Sequence, residues 1–166
     1  MATRLVFLIL ALSLLTEVTG QHSYHISEID KTVDTIDQVV TARINIVEYI
    51  HPLFSDDGGE VFLNHRYTID TARRILYKAV YEYANFEQVS FYYDKRKIIK
   101  AIVSDTTEKK MPYKCEYYFN NGSITSIKEE GTPGPQHSWN KETIALQAQQ
   151  YLTDFLGVCA MLDKQK

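Results

Sequence analysis

Two short stretches of this chain narrow its possible folds more than anything else in it. Phe91-Tyr92-Tyr93-Asp94-Lys95-Arg96-Lys97-Ile98-Ile99-Lys100-Ala101-Ile102 aligns without a gap to Glu116-Tyr117-Tyr118-Phe119-Asn120-Asn121-Gly122-Ser123-Ile124-Thr125-Ser126-Ile127. Each copy holds Tyr-Tyr, a polar turn and Ile-x-x-Ile. Asn121-Gly122 is a strong hairpin signal, because both residues tolerate the positive φ that a type I′ turn requires. In this alignment Arg96-Lys97 takes that place in the first copy and makes a poorer turn. Two consecutive hairpins of one design predict an antiparallel meander, with tyrosines alternating between its faces.

The rest of the middle of the chain extends the pattern. Segments 60–67, 74–83, 88–93, 98–104, 113–119 and 123–129 are rich in Val, Ile, Phe, Tyr and Thr, with charges or turn residues between them. Residues 72–83 also suit a helical face, but the tyrosines and the hairpin that follows favour a strand. The excess of 12 Tyr over 1 Trp fits half-exposed strands, where a ring packs and its hydroxyl stays wet.

Helical spacing flanks this region. Ile26, Ile29, Val33, Ile36, Val40, Ile44, Val47 and Ile50 recur at intervals of three and four, which predicts a helix over 25–50 with Ser27 as its cap and His51-Pro52 as its stop. After the break Glu130-Gly131-Thr132-Pro133-Gly134-Pro135, Ser138 or Asn140 caps a second helix. Its apolar stripe is Ala145, Ala148, Leu152, Phe155, Cys159 and Leu162. The order helix, strands, helix predicts an α+β fold: a single antiparallel β-meander sheet with an N-terminal and a C-terminal helix packed on one face.

Residues 1–20 read as a secretory signal peptide. Arg4 precedes the apolar run 5–15, and Val18 and Gly20 are the small residues before a cut at Gln21. The run is too short to span a ~30 Å hydrocarbon layer. Residues 21–166 then form one α+β domain that is secreted or periplasmic, with no membrane attachment after cleavage. A net charge of −3 gives no reason to expect nucleic acid. Cys115 lies in a predicted strand and Cys159 on the stripe of the second helix. In an oxidising compartment a bridge between them is plausible, and two buried free thiols are the alternative.

Asp57-Gly58-Gly59-Glu60-Val61, Tyr92-Tyr93-Asp94 and Glu116-Tyr117-Tyr118-Phe119-Asn120-Asn121-Gly122-Ser123-Ile124 follow in order after the N-terminal helix. This arrangement resembles small exported bacterial proteins of unknown function that carry paired YYF-x-NG-x-I hairpins, over residues 26–129. The resemblance implies a fold and a compartment, and no active site. Architecture alone is also similar to helix-plus-sheet inhibitor modules of the cystatin or PepSY kind.

Several groups are candidate sites. Tyr92, Tyr93, Tyr117 and Tyr118, with Phe119, would form an aromatic strip on an open sheet face, suited to a protein, peptide or glycan. His22 and His25 are spaced to share a metal ion, against a reading as two solvated imidazoles. Asp56, Asp57 and Glu60 surround a glycine turn but lack the alternating ligand spacing of a calcium loop. Asn121-Gly122-Ser123 matches a glycosylation acceptor, and the turn alone also explains it. The chain carries no GxSxG, phosphate loop or HExxH, and implies no cofactor. The expectation is an exported binding module of unknown ligand that uses its Tyr-rich face. The alternative is a small enzyme or ligand carrier with a pocket between sheet and helix, where His65 meets carboxylates and His51 or His137.

Overall fold

The computed structural model describes residues 25–38, 44–54, 60–70, 72–83, 87–105, 112–133 and 139–163. Helix α1 spans Ile26–Gln38, and helix α2 spans Lys141–Asp163. Between them run β1 (Ile44–Phe54), β2 (Glu60–Asp70), β3 (Ile75–Tyr83), β4 (Glu87–Asp94), β5 (Lys97–Asp105), β6 (Tyr113–Asn120) and β7 (Ser123–Glu130). All seven lie in one sheet in sequence order, each antiparallel to the next. The meander is therefore as expected, and longer by the strand at its start.

That first strand corrects the N-terminal reading. The expected helix over 25–50 stops by Gln38, and Ile44 onward is extended. Spacings of three and four among Ile and Val fit a helix, but β-branched side chains lose rotamer freedom there and pack well on a pleated strand. Pro52 does not end the segment. It sits within β1, an edge strand of the sheet, where a missing N–H is tolerated. The cap of α1 is His25 rather than Ser27: the Glu28 and Ile29 amides donate to the His25 carbonyl, and the His25 amide donates to the Glu28 carboxylate at 3.1 Å. Asn140 caps α2 as anticipated, accepting from the Thr143 amide at 2.9 Å while its own amide donates to Thr143 Oγ1 at 2.8 Å.

The two helices cover opposite faces of the sheet, not one. Ile29 and Val33 of α1 pack on Tyr92, Ile99 and Tyr118. Ile144, Ala148, Tyr151 and Leu152 of α2 pack on the neighbouring side chains, which point the other way: Phe91, Tyr93, Ile98, Ala101, Tyr117 and Phe119. A row of directly opposed residues shows why α2 fits its face. Tyr67, Ala79, Phe91, Ala101 and Tyr117 lie opposite one another in turn from β2 to β6, so large and small side chains alternate. Ala79 and Ala101 are fully buried, and they leave room for the helix to approach between rings.

The two hairpins share a backbone design, with a correction to the alignment. Positive φ falls on Lys95 (47°) and Arg96 (63°), and on Asn121 (49°) and Gly122 (81°). The register slips between Tyr92 and Tyr93, and again between Tyr118 and Phe119. Turn and bulge thus correspond at an offset of 26 (121 less 95), one more than the gapless alignment used. The error matters because a one-residue slip exchanges the two faces of a strand. Structurally, Tyr92 corresponds to Tyr118, Tyr93 to Phe119, and Lys95-Arg96 to Asn121-Gly122.

Candidate functional site

The four tyrosines expected on an open face are buried: Tyr92 is 3% exposed, Tyr93 0%, Tyr117 5% and Tyr118 3%. The physical reason is the two-sided covering. Tyr92 and Tyr118 lie under α1, and Tyr93 and Tyr117 under α2. The sequence signal for an aromatic strip was real, but adjacent tyrosines point to opposite faces and each face carries a helix.

Under α1 the contacts are polar and repeat themselves. Lys78, Tyr92, Lys100 and Tyr118 are directly opposed across β3 to β6. Asp37 receives Lys78 Nζ at 2.7 Å and the Tyr92 hydroxyl at 3.0 Å. Asp30, two helical turns earlier, receives Lys100 Nζ at 2.6 Å and the Tyr118 hydroxyl at 3.1 Å. Each ammonium also sits over its tyrosine ring, at 4.7 and 4.6 Å from the centroid. Lys100 has a second carboxylate, Glu116, at 3.2 Å, and Glu116 accepts from Tyr118 at 2.7 Å and pairs with Lys114 at 2.7 Å. Burial alone would push the Glu116 carboxyl up. Hydrogen bonds from Lys114, Tyr118 and Lys100, with the Lys100 charge, outweigh it and hold the group down at about 2. Burial first, then the bond to Glu116, pushes the Tyr118 phenol well above its ordinary value. With every charged group paired, this cluster orients α1 and offers no reactive group. A lone Lys inside the apolar strand text Ile98-Ile99-Lys100-Ala101-Ile102 was the sequence signal for it.

Under α2 the contacts are aromatic. Tyr151 meets Phe91, Tyr67 and His65 edge-on, with centroids 5.4, 5.6 and 5.7 Å away, and Trp139 meets Tyr81 at 5.1 Å. His65 Nδ1 and the Tyr151 hydroxyl are hydrogen-bonded at 2.9 Å. Burial, then the neighbouring Tyr67 and Tyr81, pushes the Tyr151 phenol well above its ordinary range, so it does not serve as a base near neutrality. Tyr81 and Tyr151 thus pack against His65, the residue around which the alternative reading placed a pocket.

The two cysteines are free thiols, Cys115 buried and Cys159 partly so. They do not lie within the distance a disulfide needs. The expected bridge is withdrawn.

At the turn end of the sheet the molecule opens. A recess of about 250 Å³ lies between the two hairpin turns and α2, lined by Arg96, Lys97, Ile98, Asn121, Gly122, Gln149 and Leu152. Ile98 and Leu152 are buried and form an apolar floor, while the polar members are exposed. Nothing stands within 4 Å of where a Cβ on Gly122 would be, so that side of the recess is open space. Lys95 and Arg96 hold the left-handed conformation that costs a side-chain-bearing residue roughly 1 kcal/mol or more. The corresponding turn meets the same demand with Asn121-Gly122, the residues best suited to it. The sequence carried this signal as three consecutive cations, Lys95-Arg96-Lys97, but the alignment at the wrong offset hid which two form the turn.

Other sequence candidates are not brought together. His22, Asp56, Asp57 and His137 lie outside the described residues, as does the leader. The side chains of His51 and Glu60 also lie outside them. Among the described residues, no group of three His, Cys, Asp or Glu is placed to hold a metal ion, and no helix is long and apolar enough to cross a membrane. Asn121 is exposed at its turn. No family model matches the chain, and no curated protein or solved structure is significantly similar to it.

Proposed function

We propose that this chain is an exported, non-catalytic binding module whose ligand seats in the recess between the Lys95-Arg96 turn, the Asn121-Gly122 turn and α2. The leader-like residues 1–20 support export. One observation carries the choice of site: the turn with two strained cationic residues borders the recess, while an otherwise equivalent turn uses unstrained ones. Backbone strain that the fold has a cheaper way to avoid is a pointer to function. The flanking helices hold the buried faces, so the turn edge presents exposed polar side chains over an apolar floor.

The test is binding of the labelled protein to printed arrays of glycans and peptides, beside an Arg96→Ala variant. The expected result is a set of bound ligands that the variant loses while its circular dichroism is unchanged. Retention of every ligand by the folded variant contradicts the assignment.

A further inference from the structure

We propose that the ligand of this recess is an acidic saccharide: a sugar residue bearing a carboxylate, taken as one unit of a chain. This rests on the reading of the recess as the binding site and names its ligand class. Size comes first. About 250 Å³ is below the range of ~300–1,000 Å³ typical of pockets for drug-sized molecules, so it fits a single small unit. The recess is bordered by two turns with open space beside Gly122, which leaves a path for the rest of a polymer to enter and leave.

The lining chemistry selects the unit. Arg96 and Lys97 place positive charge on one side, and a guanidinium can hold a carboxylate through two parallel hydrogen bonds. Asn121 of the other turn and Gln149 of α2 each carry a carboxamide, with both donors and an acceptor. A hydroxyl is also donor and acceptor at once, so neighbouring sugar hydroxyls match a pair of carboxamides. Ile98 and Leu152 provide an apolar floor for the C–H face of a sugar ring. A bare anion would use the cations and leave the amides and floor idle. A neutral sugar would use the floor and amides and leave the strained Arg96 without a purpose.

The experiment is a two-dimensional amide NMR titration of the purified protein with three probes: digalacturonate, digalactose and inorganic phosphate. Digalacturonate is expected to shift amides of residues 95–98, 121–122 and 149–152. Its affinity should exceed that of digalactose by about tenfold or more, the range of one charge-assisted hydrogen bond, and Arg96→Ala should remove that advantage. Equal affinity for digalactose at the same amides overturns the acidic class and leaves the recess as the site. Phosphate binding there as tightly as digalacturonate also overturns it and shows an adventitious ion only. Absence of shifts at these amides with every probe overturns the saccharide proposal, and if the array ligands shift them instead, the recess reading survives alone. Retained discrimination in Arg96→Ala overturns the role given to that side chain.

Discussion

The β4–β5 and β6–β7 hairpins are the same piece of backbone carrying different residues. Both turn through two positive-φ residues, and both slip register after corresponding residues, Tyr92 and Tyr118. In each, the first ring faces α1 and the next, Tyr93 or Phe119, faces α2. The differences lie where geometry leaves a choice. Ser90 in the first hairpin corresponds to Glu116 in the second, and Lys95-Arg96 to Asn121-Gly122. The first exchange places an ionised group beneath α1, where it holds Lys100 and Tyr118. The second puts strained cations beside a recess. Rings at fixed positions build the fold, and the variable positions differ in electrostatics and in the turn that borders the recess.

Truncating the shared rings should produce the largest effects. Tyr93→Ala and Phe119→Ala each empty a fully buried site under α2, at a cost of about 3–5 kcal/mol. Tyr93→Ala should be the worse, since it also loses the hydroxyl bond to the Ala148 carbonyl at 2.9 Å. Urea denaturation measures both, and a small loss in either would show that the faces are wrongly assigned. Next, Asn121→Lys with Gly122→Arg imposes the strained turn on the second hairpin. It should cost roughly 1–2 kcal/mol by the same measurement, and no loss would mean that the two turns are not equivalent.

Removing hydroxyls under α1 sharpens the comparison further. Tyr118→Phe should cost about 1–2 kcal/mol, because its hydroxyl lies between Glu116 and Asp30. Tyr92→Phe, which loses the hydroxyl bond to Asp37, should cost about 1 kcal/mol. Acid should act through the second hairpin. The Glu116 carboxyl is held at about 2 in the folded protein, below its unfolded value. Its contribution is therefore complete above about pH 5 and is lost as pH falls toward 2. Glu116→Gln should flatten the fall in urea midpoint over that window, and an unchanged acid profile would remove Glu116 from the account. The smallest effect is chemical: a thiol reagent should modify Cys159 in the native protein and Cys115 only on unfolding, whereas a bridged pair would leave no thiol in either state.

Strands were legible because β-branched and aromatic residues between turn residues have few other uses, and each expected segment from 60 to 129 lies within a strand or differs from it by a residue or so. The N-terminal boundary was not, since Ile44, Val47 and Ile50 continue the helical spacing while their β-branched side chains suit a strand. Faces failed for a different reason. Aligning Tyr92-Tyr93 with Tyr117-Tyr118 is the obvious match by residue type. The backbone pairs Phe91-Tyr92-Tyr93 with Tyr117-Tyr118-Phe119, which only the turn and bulge positions reveal. The recess draws on α2 as well as both turns, so no local pattern could announce it.

The central claim is that Lys95-Arg96 is a turn held at a cost to stability for the sake of binding. Replacing it with the residues of its counterpart, Lys95→Asn with Arg96→Gly, tests that claim most directly when thermal unfolding and ligand titration are run on the same sample. The account predicts a variant that is more stable, by roughly 1 kcal/mol, and that no longer binds at the recess. A variant that is less stable, or that binds unchanged, would contradict it.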